Sequence, residues 1–101
     1  MRDLVIIGSG PAGLSAGVYA KRAGMDALII ERNNGSSGQI MGSPMVNNYL
    51  GLPGLSGFEL GENFRSHALD MGVSFRQGDV SRIEKTDSRT FKITLDEGDH
   101  I

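Results

Sequence analysis

Cysteine is absent from this sequence of 101 residues. There is also no large excess of charge of either sign, because the ten Lys and Arg nearly balance the twelve Asp and Glu. Without cysteine, the chain itself forms no disulfide, supplies no thiolate to a metal and carries out no thiol redox chemistry. The balanced charge, mixed along the chain, indicates neither a nucleic-acid partner nor binding to a membrane surface. The length suits one globular domain at most.

Long apolar runs are missing as well. The run LVII at residues 4–7 leads straight into glycine and is far shorter than a signal-peptide core or the roughly 20 residues that span a membrane. We therefore expect a cytoplasmic protein without a membrane segment. The two histidines lie far apart and no carboxylates are paired, so the sequence predicts no metal site and no catalytic residue. His67 is expected to be a partly buried structural residue.

The first third of the chain is typical of a strand, a glycine turn, a helix and a second strand. The segment DLVII at residues 3–7 predicts a strand covered on both faces. Pro11 suits the first turn of a helix and Gly24 suits its end. The segment DALIIER at residues 26–32 predicts the second strand of a right-handed parallel βαβ unit. Small residues predict a helix face that approaches the sheet closely: Ala12, Gly13, Ala16, Gly17 and Ala20.

The rest of the chain predicts an irregular loop, a second helix and three strands. Residues 35–54 lack a clean period, but their apolar side chains argue against disorder. Ser56 and Glu59 form a capping box that begins the helix. The segment VSF at residues 73–75 predicts a third parallel strand, and two alternating segments after it predict an antiparallel hairpin. Its predicted inner face consists of Phe91, Ile93 and Leu95. The fold class is α/β, a partial Rossmann-like, doubly wound fold with parallel strands and this hairpin.

The glycines at positions 8, 10 and 13 form a GxGxxG motif. Taken alone, such a motif fits a plain tight turn as well as a nucleotide site, but this one follows a predicted strand and opens a predicted helix. Gly8 permits the turn, Gly10 lets the backbone approach a pyrophosphate, and Gly13 allows close packing of helix on strand. The helix N-terminus offers N–H donors to an anion. We interpret the motif as a dinucleotide site.

An acidic and a basic residue end the second predicted strand. Glu31 lies 18 residues beyond Gly13, where a ribose 2′-hydroxyl would be met, although in isolation it fits a solvated charge at a strand end. Arg32 fits a contact with a phosphate and a solvent-exposed position equally well. The glycine spacing does not separate NAD from FAD, because both present an ADP half to the same turn.

Five segments, in order and at matching intervals over the whole chain, make the sequence resemble the thioredoxin reductase family of low-molecular-weight type: DLVIIGSGPAGLSAGVYAKRAG, SGQI, VNNYLG, SGFEL and GDV. The resemblance implies that residues 1–101 are an N-terminal FAD-binding segment. Its residues at the pyrophosphate and ribose would be Gly8, Ser9, Gly10, Pro11, Ala12, Gly13, Glu31 and Arg32. Gly38, Gln39 and Asn48 would lie along the flavin, and the backbone of Val80 would pair with adenine. Ser37 and Leu50 depart from the family's usual Gly and Pro, so the loop is expected to run differently around the flavin.

The resemblance also implies a reaction. The family's flavoproteins are dimeric oxidoreductases that pass a hydride from NADPH to FAD, and electrons from there to a Cys-x-x-Cys disulfide and to thioredoxin or a similar small redox protein. The NADPH-binding domain and the Cys pair occur later in the family, as does a strand beside the first one. We therefore expect this segment to be inactive alone, to bind FAD weakly, and to dimerise, swap elements or need a companion fragment. The alternatives are the FAD part of a thioredoxin-reductase-like ferredoxin–NADP reductase, or a fragment with no activity of its own.

Overall fold

A computed structural model describes residues 1–32, 38–98 and 101. The elements in chain order are β1 (Leu4–Ile7), α1 (Pro11–Arg22), β2 (Ala27–Glu31), a 3₁₀ helix (Gly38–Gly42), α2 (Gly57–Asp70), β3 (Ser74–Gln77), β4 (Val80–Lys85) and β5 (Phe91–Leu95). The predicted α/β fold, with parallel strands and an antiparallel hairpin, is confirmed. Neither of the α-helices described is long and apolar enough to cross a membrane.

The three parallel strands form one sheet in the order β1, β2, β3. In the register of the sheet, Ile29 of β2 lies between Ile6 of β1 and Phe75 of β3. Because all three strands run the same way, their carboxyl ends meet at one edge. Ligands bind at this edge in open α/β sheets. The residues that lie there are the glycine turn after β1, Arg32 after β2 and Gly78 after β3.

The sheet is covered on both faces, which makes three layers. Side chains of β2 alternate between the two faces, as the two-residue period of a strand requires. On one face α1 and α2 enclose a core formed by Leu14, Ile29, Ala68 and Val73. On the other face the β4–β5 hairpin completes a second core formed by Leu28, Ile30, Ile93 and Leu95. Strand β2 is therefore buried from both sides, which explains its continuously apolar sequence.

Helix α1 lies close to the sheet through only part of the predicted small-residue face. Gly17 is buried, and a Cβ atom there would stand 2.9 Å from Cδ1 of Ile29. A Cβ atom on Gly13 would fall on the carbonyl oxygen of Gly8. The prediction was wrong for Ala12 and Ala16, which are exposed. The residues facing the sheet follow a spacing of three and four, so the two alanines lie on the solvent side.

Helix α2 begins at the predicted capping box. The backbone N–H of Glu59 donates to Oγ of Ser56 at 3.1 Å, and the backbone N–H of Ser56 donates to Oε1 of Glu59 at 3.2 Å. His67, expected to be partly buried, is exposed on this helix. It lies outside the stripe of Leu60 and Ala68, which are fully buried.

The hairpin is antiparallel, as predicted, but its inner face is shorter than expected. Ile93 and Leu95 are buried, whereas Phe91 is 56% exposed. Phe91 pairs with Lys85 at the end of the hairpin next to its turn, outside the core against β2. In the turn itself the backbone N–H of Arg89 donates to Oδ1 of Asp87 at 2.7 Å, and this hydrogen bond lowers the pKa of Asp87.

Candidate functional site

A cavity of about 540 Å³ opens at the carboxyl edge of the parallel sheet. Its walls come from the turns after all three parallel strands and from the start of the 3₁₀ helix. They consist of Ile7, Gly8, Ser9, Gly10, Ile30, Arg32, Gly38, Gln39, Gly78, Asp79 and Val80. The volume falls within the range of roughly 300–1,000 Å³ that is usual for small-molecule sites. Five of the eleven lining residues are Gly or Ser, so much of the wall is bare backbone.

The turn between β1 and α1 exposes its backbone because it is built from glycine. Gly8 has a φ of +111°, a conformation that strains any other residue, and its N–H donates to the carbonyl of Ile30 at 2.9 Å. Gly38 also has a positive φ of +83°, and a Cβ atom there would stand 3.0 Å from Cα of Gly10. The two segments therefore approach each other closely at the cavity. Side chains at these positions would fill the cradle.

The N-terminus of α1 points its positive end toward this turn. Gly10 is the N-cap and has no side chain to bind the first N–H groups, and the first turn holds no acidic residue. The residues after it, Pro11, Ala12 and Gly13, form that first turn. Uncapped N–H groups and the helix dipole together favour an anion. The cradle and the electrostatics both fit a diphosphate.

The opposite wall carries a pair of exposed charges. Nε of Arg32 lies 3.4 Å from Oδ1 of Asp79, and the two side chains are 75% and 45% exposed. The backbone N–H of Gly78 donates to the carbonyl of Glu31 at 2.8 Å, which joins the ends of β2 and β3. An exposed pair of this kind contributes little to stability. Its guanidinium and carboxylate are accordingly available to a polar ligand at the cavity mouth.

Glu31 lies behind this wall rather than in it. Its carboxylate points to the helix side of the sheet and accepts two hydrogen bonds from Arg65 of α2, at 2.8 and 2.9 Å. The side chain of Glu31 is 2% exposed, so the alternative of a solvated charge is wrong. Its predicted contact with a ribose stays a prediction.

The structure brings seven of the predicted cofactor residues together at the cavity: Gly8, Ser9, Gly10, Arg32, Gly38, Gln39 and Val80. Pro11 lines a different cavity of about 300 Å³ between the two helices. Asn48 is exposed and lines neither of these cavities. Ser37 lies outside the described residues. In the described part of the chain, no three His, Asp or Glu side chains come together as a possible metal site.

Sequence reasoning missed two parts of the site. Gly78 and Asp79 line the cavity beside Val80, and the segment GDV, which contains all three residues, was a usable signal for both of them. Arg65 had no such signal, because it is 34 residues from Glu31 in the chain and only the packing of α2 on the sheet joins them.

Comparison with known proteins identifies the family. Residues 2–101 match the family model of the pyridine nucleotide-disulphide oxidoreductases. The chain belongs to this family. Among curated members, a thioredoxin reductase of Mycoplasma pneumoniae is 34% identical over 95 residues, which are 94% of this chain and 30% of that protein.

Solved structures agree with the family assignment. A thioredoxin reductase of Lactococcus lactis superposes with a TM-score of 0.92 at 34% identity, covering 100% of this chain and 32% of that one. A ferredoxin-flavin thioredoxin reductase of Clostridium acetobutylicum superposes with a TM-score of 0.83 at 32% identity, covering 98% of this chain and 34% of that one. The resemblance to thioredoxin reductases is thus confirmed. The chain spans about a third of the length of these relatives.

Proposed function

We propose that residues 1–101 form the FAD-binding segment of an oxidoreductase of the thioredoxin reductase type. The observation that carries this proposal is the cavity at the sheet edge, where glycine backbone and the uncapped N-terminus of α1 face the same space. Such a site accommodates a diphosphate without a dedicated basic side chain. We propose that these residues bind FAD and that the NADPH-binding site of such an oxidoreductase lies outside them.

In this proposal different residues bind different parts of the dinucleotide. Ser9 and Gly10 hold the diphosphate through the backbone of the turn, while Val80 on the opposite wall pairs with adenine through its backbone. Gln39 lies toward the flavin, where its side-chain amide can both donate to and accept from the ring edge. Asn48 is proposed to do the same from the exposed loop. The flavin ring would thus lie beyond Gly38, away from β3.

Bound FAD would supply the two-electron chemistry that links a nicotinamide nucleotide to a disulfide. This chain contributes binding and orientation, and we propose no catalytic residue in it. The sequence has no cysteine, so a redox-active Cys pair must come from other residues. For the whole protein we propose NADPH as the donor, thioredoxin or a similar small redox protein as the acceptor, a homodimeric state and a cytoplasmic location.

A second candidate differs in the electron donor. The solved structure from Clostridium acetobutylicum is described as a ferredoxin-flavin thioredoxin reductase, and the fold described here matches it as well. The segment would then bind FAD in the same way, but a ferredoxin would replace NADPH. The thioredoxin-reductase-like ferredoxin–NADP reductases remain the further alternative. The full reading frame of the parent protein distinguishes these classes. A Cys-x-x-Cys motif in it indicates a disulfide reductase, and its absence indicates a ferredoxin–NADP reductase.

Binding of FAD is tested by titrating the ¹⁵N-labelled chain and following backbone amides by NMR. We expect saturable shifts of the amides of Gly8, Ser9, Gly10, Gly38 and Gly78, because these residues line the cavity. Residues 86–90 of the hairpin turn serve as the internal control and should not move. The dissociation constant should lie above about 1 μM, since a third of a protein of this type supplies only part of the site.

Two results would contradict the proposal. One is the absence of any saturable shift at millimolar FAD. The other is a set of amide shifts centred on the groove between α1 and α2, around Tyr19 and Phe64, instead of on the sheet edge. Submicromolar affinity would leave the site in place but overturn the expectation of weak binding.

A further inference from the structure

The ion pair between Glu31 and Arg65 is far more buried than the other pairs seen here. The side chains of Glu31 and Arg65 are 2% and 11% exposed, whereas those of Arg32 and Asp79 are 75% and 45% exposed. Removing two charges from water is unfavourable. A protein in which apolar residues of similar volume replace a buried ion pair is often equally stable or more stable. Stability alone therefore gives no reason to place an ion pair here.

The pair stands directly behind the proposed nucleotide site. Glu31 is the last residue of β2, and its neighbours Ile30 and Arg32 both line the cavity. Because side chains alternate along a strand, the Glu31 carboxylate leaves β2 on the opposite face, the same one as Ile29. The carboxylate therefore lies at the end of β2, behind the wall formed by Ile30 and Arg32, next to the place where the sequence predicts a ribose.

Arg65 is held firmly enough to fix that carboxylate. Its two terminal nitrogens each donate to one carboxylate oxygen, in a paired arrangement that sets both distance and plane. The guanidinium carbon also lies 4.5 Å from the centre of the Phe75 ring on β3. Ala68 of the same helix packs in one core with Ile29 of β2, which holds this part of α2 on the sheet.

We propose that Arg65 is a positioning residue that orients Glu31 for the adenosine ribose of FAD. This inference rests on the proposed function. Without Arg65, the buried carboxylate would lose both hydrogen bonds from the guanidinium and the positive charge beside it, and its orientation would no longer be fixed. Lysine at this position would keep the charge but not the planar two-point contact, so it should restore the effect only in part.

The test compares FAD with FMN, which has the same flavin and one phosphate but no adenosine. We expect Arg65→Met to raise the dissociation constant for FAD about tenfold and to change that for FMN less than about twofold. Arg65→Lys should lie between Arg65→Met and the unchanged chain. Arg82→Met, which removes an exposed arginine paired with Glu84 on the hairpin, is the matched control and should change neither constant.

A double-mutant cycle with Glu31→Gln shows whether Arg65 acts through Glu31. If it does, adding Arg65→Met to Glu31→Gln should not weaken FAD binding further. The neutral double variant also serves if Arg65→Met alone fails to fold, because it contains no unpaired charge. Equal FAD affinity of the double variant and Glu31→Gln supports the inference.

Three results would overturn it: an unchanged FAD affinity in folded Arg65→Met, an equal loss for FAD and FMN, or a further loss in the Glu31→Gln background. In each of these the unchanged chain still binds FAD, so the proposed function stands. An unchanged chain that binds no FAD at all overturns both.

Discussion

Gly13 occupies the first turn of α1, where the helix passes directly over the turn after β1. A side chain there would meet the carbonyl oxygen of Gly8, and backbone atoms cannot move aside as a flexible side chain can. We expect Gly13→Ala to lower the free energy of unfolding by about 3 kcal/mol, at the upper end of overpacking effects. Urea unfolding followed by circular dichroism measures this change.

The control for that substitution is Gly42→Ala. A Cβ atom at Gly42 would meet nothing within 4 Å, and Gly42 is not among the glycines with positive φ. It should alter the free energy of unfolding by less than about 0.5 kcal/mol. Similar losses at both positions would show that close packing at the turn is not the reason for Gly13.

At the scale of single residues, the sequence was informative where the reason for a residue is local. Gly8 and Gly10 belong to one short motif, and the structure places both at the cavity. The partner of Glu31 could not be predicted in this way. Arg65 meets it only because α2 packs on the sheet in one particular register, and that register depends on the whole core rather than on residues near either member of the pair.

Helix α2 depends on its first turn for a defined start. Oγ of Ser56 accepts a hydrogen bond from the backbone N–H of Glu59, which would otherwise lack a partner within the helix. We expect Ser56→Ala to lower the free energy of unfolding by about 1 kcal/mol, as the loss of an N-cap usually does. Urea unfolding at neutral pH measures the effect.

Ser66→Ala provides the comparison within the same helix. Ser66 is exposed in the middle of α2, where alanine is the better helix former, so this change should leave stability equal or slightly higher. If the two variants behave alike, the capping interaction does not determine the stability of this helix.

The elements themselves were largely predictable, because each has its own period and its own ending. The capping box and the hairpin were both predicted from short segments. The exposure of residues near the ends of these elements was not predicted. Phe91 continues the alternating pattern of Ile93 and Leu95, yet it lies past the region that β2 covers. A period shows which side chains share a face, but it does not show how far the neighbouring layer extends along that face.

For the molecule as a whole, the cavity emerges from the arrangement of three strands rather than from one motif. Segments after β1, β2 and β3, along with the start of the 3₁₀ helix, supply its walls. The sequence indicated the glycine turn, and the family resemblance added Gln39 and Val80. The position of Asn48 outside the cavity could not be predicted, because residues 43–56 form no helix or strand, and a contact such as the isolated bridge between Val46 and Leu55 has no periodic signal in the sequence.

The same arrangement leaves β1 at the border of the sheet. Among the described strands it pairs with β2 alone, and Ile7 at its end is 51% exposed. A bordering strand with apolar side chains favours pairing with another chain. We expect the 101-residue chain to self-associate, so that its mean mass in sedimentation equilibrium rises with concentration.

A charge on this strand should oppose the pairing, because a lysine at a sheet edge must lose its hydration when another strand docks beside it. We expect Ile7→Lys to shift the chain toward monomer. Ile83→Lys is the matched control, since Ile83 is 54% exposed on β4, away from this border, and it should leave the association unchanged. A chain that sediments as a monomer at every concentration and unfolds cooperatively would show instead that the border of β1 is adequately protected as it stands.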